Sequence, residues 1–257
     1  MGHQITILQS VLSTLLEGGR GVMGTAFPQQ PPLLLKLYDM EGCPFCRRVR
    51  EVLTLLNLDV EIYPCPKNGK RFRADAIALS GESQFPLLVD DNTGTVLLES
   101  QAIIDYLFAT YGKHGKTPAK WKNLSDTPIS GMLISAASSM RGLKAAAGND
   151  TRTAPAQKLA LWSFEASPYS RPVRERLCEL ELPYILHNVA KERWQDMGPA
   201  VLRAKPGPYV PLLGGKREQL LPVMQGKMQV PYLVDPNTGV SLFESKVILA
   251  YLNQTYA

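Results

Sequence analysis

Two cysteines spaced C-x-x-C, Cys43 and Cys46, are the residues of this chain best suited to covalent chemistry. They follow an apolar run and a turn at Met40-Glu41-Gly42. Behind them Val49, Val52, Leu53, Leu55 and Leu56 recur at helical spacing. The pattern predicts strand, turn and helix, with Cys43 just ahead of the first helical turn and Pro44 where a missing N–H costs nothing. Unpaired backbone N–H groups and the positive end of the helix dipole favour thiolate over thiol there. Cys46, one turn on, lies on the same side and can close a disulfide with Cys43. This is the geometry of a redox site. Half of a zinc site and a pair of core cysteines are the alternatives. Cys65 and Cys178 are isolated and the histidines are His3, His114 and His187, so no second ligand pair exists and no metal is expected.

The bulk numbers limit what else the chain can be. Its 257 residues allow one large domain or two small ones. With 45% hydrophobic and 20% charged residues it can bury substantial cores. No apolar run reaches the ~18 residues that span a bilayer, so no transmembrane segment is expected. The net charge of +5 is scattered, without a basic block or interleaved aromatics. Nucleic acid is therefore not an expected partner, whereas an anionic small ligand or an acidic protein fits. Four cysteines, two of them in C-x-x-C, point to a reducing intracellular compartment.

Residues 5–19 read as an amphipathic helix with Ile5, Leu8, Leu12, Leu15 and Leu16 on one side, a targeting remnant being the rival reading. Residues 25–32 are a Pro/Gln linker. After the Cys helix come a strand at 60–63, a helix near 72–79, a strand at 85–89, a hairpin turn at Asp91-Asn92-Thr93-Gly94 and a partner strand at 95–98. Glu99-Ser100 opens a last helix. Tyr63 and Cys65 read as packing residues. Arg47, Arg48 and Arg50 read as a solvated helix face, with a partner-recognition patch as the alternative.

An internal repeat orders the whole chain. Residues 85–111, FPLLVDDNTGTVLLESQAIIDYLFATY, match residues 230–256, VPYLVDPNTGVSLFESKVILAYLNQTY, at 15 of 27 positions. CPFCRRVREVL returns as SPYSRPVRERL, with Ser167 and Ser170 in place of both cysteines. A helix-like stretch at 129–142 echoes residues 5–21. Pro86 follows Cys43 by 43 residues and Pro231 follows Ser167 by 64, so the second copy holds a 21-residue insertion. Its Pro/Gly-rich part, 198–215, is expected as a surface loop or arm.

These residues resemble the thioredoxin-like superfamily, and more narrowly the glutaredoxins and the N-terminal domains of glutathione transferases. The tandem order, C-P-F-C then S-P-Y-S, is similar to a plant and cyanobacterial family of tandem thioredoxin-fold proteins, and the likeness covers most of the chain. It implies an α/β fold of two tandem thioredoxin-like βαβαββα domains, each preceded by an amphipathic helix. The divisions would be helix and linker (1–32), first domain (33–112), linker with helix (113–157) and second domain with insertion (158–257). It implies cis prolines at Pro86 and Pro231, with the backbone of Phe85 and Val230 presented to a peptide-like ligand. It implies that Glu99-Ser100 and Glu244-Ser245 hold the γ-glutamyl end of glutathione. A Ser hydroxyl and backbone N–H at a helix start suit a carboxylate and a Glu suits an ammonium; a simple helix cap is the other reading. A chloroplast stroma or cyanobacterial cytoplasm follows from the same likeness.

The expected function is glutathione-linked thiol–disulfide exchange, with Cys43 as nucleophile and Cys46 resolving. Phe85, Pro86, Glu99 and Ser100 would place glutathione or a disulfide-bearing protein. The second domain, with Ser167, Val230, Pro231, Glu244 and Ser245, would be a redox-inactive ligand or partner platform. The alternative is a non-catalytic binding or assembly protein that uses the basic helix faces or the insertion. A glutathione transferase, or an enzyme like membrane-associated prostaglandin synthase type 2, is less favoured, because the residues after the second unit and between the units are too few for a helical domain. Glutaredoxins carry a Lys shortly before the first cysteine, whereas Asp39, Met40 and Glu41 stand here, which predicts a Cys43 less acidic than that of a working glutaredoxin.

Overall fold

The computed structural model describes residues 4, 6–9, 20–122, 141–149, 154–200 and 203–257. The first half runs β1 (Leu35–Asp39), α1 (Pro44–Leu56), β2 (Val60–Pro64), α2 (Arg73–Ser80), β3 (Leu87–Asp90), β4 (Thr95–Leu97) and α3 (Ser100–Tyr111). The second repeats that order with β5 (Leu159–Ser163), α4 (Arg171–Glu179), β6 (Tyr184–Asn188), α5 (Lys216–Leu220), β7 (Tyr232–Asp235), β8 (Val240–Phe243) and α6 (Ser245–Tyr256). The fold is α/β, in two βαβαββα halves. Of the leading helices expected at 5–19 and 129–142, residues 6–9 are helical. The remainder lies outside the described residues, apart from 141 and 142, which form a turn.

Alternation along the strands sets the layers. Leu35, Leu37 and Leu88 face one way, into a core shared with Val49, Val52 and Leu53 of α1 and with Ile103, Ile104 and Leu107 of α3. Tyr38, Leu87 and Val89 face the other way, into a smaller cluster with Ala76 of α2 and both Cys43 and Cys46. The large core and the thiol site therefore occupy opposite faces of one sheet.

That sheet is continuous through the molecule, in the order β4-β3-β1-β2-β6-β5-β7-β8. The seam is the antiparallel pair β2–β6, in register Val60↔Leu186, Glu61↔Ile185 and Ile62↔Tyr184. In the repeat Val60 corresponds to Tyr184 and Ile62 to Leu186, so each half offers the same residues to the other. This is the reciprocity of a two-fold dimer interface, made within one chain.

The segments leading into each half cross over. The Lys191 N–H donates to the Val22 carbonyl at 2.9 Å, and the Gly24 N–H to the Lys191 carbonyl at 3.1 Å. The Lys67 N–H donates to Leu143 at 2.7 Å and the Ala145 N–H to Lys67 at 2.9 Å. The strap ahead of the first half thus runs on the second half, and the converse. Gly21 (φ 74°) and Gly142 (φ 70°) turn these straps against the opposite half. A Cβ on either would meet the Cβ of Glu165 or Glu41 at 2.9 Å, closer than carbon atoms approach.

Between the halves lies an ionic cluster, and it corrects the expected solvated arginine face. Arg50 is 1% exposed and Arg48 8%. Arg50 donates to the Asp39 carboxylate and, at 3.0 Å, to Glu165 of the other half. Arg174, its counterpart in the repeat, donates to Glu41 across the seam at 2.9 Å and lies 3.2 Å from Glu165. Backbone carbonyls take further guanidinium protons, Glu41 from Arg50 and Glu165 from Arg174. A guanidinium tolerates burial only when its fork is filled in this way. The part-buried Arg47 lies 3.5 Å from Glu51 on the same helix. No broad basic face remains on α1 to receive a partner.

Candidate functional site

Cys43 is the residue ahead of α1, with extended backbone (φ −81°, ψ 126°) and Pro44 at the first helical position, as the spacing predicts. All four cysteines are free thiols. Cys43 is 7% exposed and Cys46 is fully buried behind it. The Cys46 thiol donates a hydrogen bond to Cys43. That bond is the largest influence drawing the Cys43 thiol down from its ordinary value of 9.0 to about 7. Burial opposes the shift, while the N–H groups of Cys46 and Phe45 and the Arg50 charge add to it. Cys46 moves the other way, raised by burial and by its bond to Cys43. Burial likewise raises Cys65 and Cys178.

Cys43 thus lies below the ordinary thiol value even with Asp39 and Glu41 just before it. Their carboxylates turn away into the cluster with Arg50 and Arg174, where opposite charge neutralises them. Tyr63 and Cys65 are packing residues, Tyr63 stacking on Tyr38 with ring centres 4.8 Å apart.

Phe85 shares the thiol cluster with Cys43 and Cys46, and Arg73 stacks over its ring at 4.7 Å. The Phe85–Pro86 and Val230–Pro231 bonds are cis. Glu99 and Glu244 precede α3 and α6 with positive φ, 67° and 70°, a conformation that burdens any side chain with a Cβ. Neither makes a side-chain cap bond, so helix capping does not account for a glutamate at either place. Instead each exposed carboxylate is held by a glutamine, Glu99 by Gln84 and Glu244 by Gln229. These glutamines stand one residue before Phe85 and Val230 and so tie each Glu-Ser pair to the proline strand. Ser100 and Ser245 are buried at the first helical positions. Extending the repeat one residue upstream would have found the glutamines, which are identical in both copies.

In the second half the Ser170 hydroxyl donates to Ser167 Oγ at 2.9 Å, copying the thiol pair in oxygen. Ser167 and Val230 line a cavity of about 310 Å³. Pro231, Glu244 and Ser245 are not in its wall. Part of the insertion, from Met197 to Ala200 with Arg203, closes over it, so that stretch is a wall rather than a free arm. Leu213, farther along, is 83% exposed as a surface loop should be. Sequence reading missed the cations Lys191, Arg203 and Arg217 at this cavity, because the insertion that supplies Arg203 has no counterpart in the first half.

Among the described residues no cluster of three or more His, Cys, Asp or Glu could hold a metal, and no helix is long and apolar enough to cross a membrane. The fold, with a cis proline and a Glu-Ser step in each half, defines a thioredoxin-like architecture. A profile of the glutathione S-transferase N-terminal domain matches residues 37–117 and again 161–257, and the chain belongs to that family. Among solved structures, the Bombyx mori glutathione transferase BmGSTD1 is 30% identical over 33% of this chain and 39% of its own, with a TM-score of 0.29. The same silk-moth protein complexed with GTT aligns similarly, at a TM-score of 0.30. Leishmania TDR1, a trimeric glutathione transferase, aligns over 88% of this chain and 67% of its own at 13% identity and a TM-score of 0.28. The chain thus spans about 39% of the length of the silk-moth enzyme. No curated protein matches.

Proposed function

We propose that the protein is a glutathione-linked thiol–disulfide oxidoreductase working through Cys43. The observation that carries this is the placement of the two thiols, Cys43 ahead of α1 with Pro44 at the first helical position and Cys46 fully buried one turn behind it; the drawing down of Cys43 to about 7 agrees with it. At neutral pH such a Cys43 is about half thiolate while still nucleophilic. In the first step the Cys43 thiolate attacks the glutathionyl sulfur of a protein mixed disulfide. The S–S bond breaks, Cys43–S–S–glutathione forms, and the protein thiolate leaves and takes a proton. A second glutathione thiolate then attacks that bond, releasing oxidised glutathione and restoring Cys43. Cys46, buried and raised, serves chiefly as the hydrogen-bond donor; its own attack would give a Cys43–Cys46 disulfide that two further glutathiones reduce.

Glu99, Ser100 and the backbone of Phe85 beside Pro86 fit the γ-glutamyl and peptide parts of glutathione: an exposed carboxylate for the ammonium, a hydroxyl at a helix start for the carboxylate. The cycle needs a reducing compartment such as the chloroplast stroma or a cyanobacterial cytoplasm. The test is reduction of a glutathionylated peptide with excess glutathione. Activity that Cys43→Ser abolishes supports the reading, and an unchanged rate in Cys43→Ser defeats it.

For the second half we propose a platform that binds without redox chemistry. The Ser167–Ser170 pair cannot form a disulfide, yet the halves keep Pro231, Glu244 and Ser245 in register with the first site. Glu244→Ala with Ser245→Ala should weaken binding of glutathione or a protein partner there, measured by calorimetry, and leave Cys43 chemistry unchanged. Equal affinities would reduce this half to scaffold.

A further inference from the structure

The cavity of the second half has a chemistry unlike the thiol site. Its walls are apolar: Val22 of the crossing strap, Phe164, Met197, Met228 and Val230, with the more exposed Tyr169. Three cations face into the same space, Lys191, Arg203 and Arg217, and among the described residues no carboxylate lines it. Lys191 and Arg217 are 8% and 4% exposed.

Their charge is incompletely answered. Lys191 donates to the carbonyls of Asp196 (2.5 Å) and Gly198 (2.8 Å), neutral groups that use two of its three protons. Arg217 Nε is buried with no hydrogen-bond partner among the described residues. Its Nη1 reaches the Tyr209 hydroxyl at 3.3 Å and the Asp196 carboxylate only at 4.0 Å. Asp196 is already paired with Arg193 at 3.3 Å, and Glu192 accepts the Arg217 backbone N–H at 2.8 Å. Arg203 donates to the Met228 carbonyl at 3.1 Å. Crowding three like charges about an apolar space is costly unless an anion enters it.

We propose that this cavity binds an organic anion with an apolar body, a medium-chain or aryl carboxylate, whose charge is held by Lys191, Arg203 and Arg217 and whose body lies against Phe164, Met197 and Met228. The inference deepens the platform reading of the second half and rests on it for the place beside Ser167 and Val230. Lys191 supports it, since burial, with Arg217 next, draws its ammonium down to about 8, still charged at neutral pH. The volume of about 310 Å³ holds on the order of ten water-sized groups. Glutathione, polar along its whole length, matches these walls poorly.

The experiment is calorimetric titration of the full chain with octanoate and with its neutral analogue octanamide. Octanoate should bind at least about ten-fold more tightly, the worth of a charged hydrogen bond. Arg203→Met, which leaves the more buried cations in place, should reduce that preference several-fold. Ala200→Trp, which fills the cavity and keeps every charge, should abolish binding of both. A preference under ten-fold, or octanoate affinity unchanged in both variants, overturns the proposal. The Glu244→Ala/Ser245→Ala variant separates the readings. Octanoate binding kept there while glutathione binding is lost leaves both intact. If the parent chain binds octanoate but no glutathione, the glutathione part of the platform reading fails alone. A loss of octanoate binding in that variant moves the site away from the three cations and defeats this inference.

Discussion

A thiol that donates to its neighbour carries two consequences at Cys43, and they can be separated by substitution. Alkylation of the native protein should label Cys43 first, its rate climbing with a midpoint near pH 7. Cys46, Cys65 and Cys178 should react only after unfolding. Cys46→Ala removes the largest stabilising influence on the thiolate, so the midpoint should move up towards the ordinary thiol range, about 8.5 to 9. Cys46→Ser keeps a donor at the same place and should hold the midpoint near that of the parent. Mass mapping of alkylated peptides across pH 5–9 reads both. At this scale the placement of Cys43 ahead of a helix was legible, because C-x-x-C before an apolar helical stripe depends on local geometry alone. The sequence did not show where Asp39 and Glu41 point, because the direction of a turn carboxylate is decided by arginines farther along the chain and in the other half.

At the scale of elements, the Glu-Ser step and the hairpin after it behave as a single clasp. Asp90 accepts from Tyr106 at 2.6 Å and Tyr111 at 2.5 Å, and Asp235 from Tyr251 at 2.7 Å and Tyr256 at 2.5 Å. These bonds pin the last helix of each half to the strand behind the proline. Asp235→Ala leaves two phenol groups without their acceptor and should cost roughly 2–4 kcal/mol in chemical unfolding, with the first half's site untouched. Glu99→Gly makes the opposite trade. Glycine accepts φ 67° without penalty and should raise stability by about 0.5–1 kcal/mol, while glutathione affinity falls with the carboxylate. Element order was legible because fifteen identities between residues 85–111 and 230–256 fix two copies of one pattern. Helix ends came within a residue or two. The insertion falls between β6 and α5 as expected of a surface loop or arm, but nothing local reveals that residues 197–200 line a cavity with Ser167.

Across the whole molecule the buried cluster makes stability depend on pH with two opposing slopes. Burial raises Asp39, and Glu41 adds to this, so that despite the Arg50 charge it stands at about 6, above its ordinary 3.8. A raised carboxyl favours folding while protonated, so its contribution is complete below about pH 4 and is lost as pH climbs through 6. Glu165 behaves oppositely. Burial would raise it, but Arg174 and Arg50 outweigh that and hold it well below 4.5. Its contribution is present above about pH 4.5 and is lost as pH falls below that. Asp39→Asn should remove the decline between pH 4 and 7 in a series of thermal melts and leave the acid limb in place. Arg174→Met strips Glu41 and Glu165 of a buried partner and should cost about 3–5 kcal/mol. The shared sheet and this cluster were hidden in the sequence, although Glu41, Arg50 and Glu51 recur at Glu165, Arg174 and Glu175. Identity at such charged positions reports a contact between copies, which no single copy can display.

The crossed straps bear on how such a chain can change over generations. Two identical subunits must accept every substitution twice, so a redox thiol cannot be given up on one side only. Here the two halves meet as reciprocally as subunits, yet each position is written separately, and one side carries sulfur where its opposite carries oxygen. The straps also mean that neither half is whole by itself. Val22, which precedes the first half, walls the cavity of the second, and Leu143, which precedes the second, is bonded along the first. A recombination event that copied either half into another protein would leave behind a piece of it, so the double unit is the smallest part that can be inherited intact.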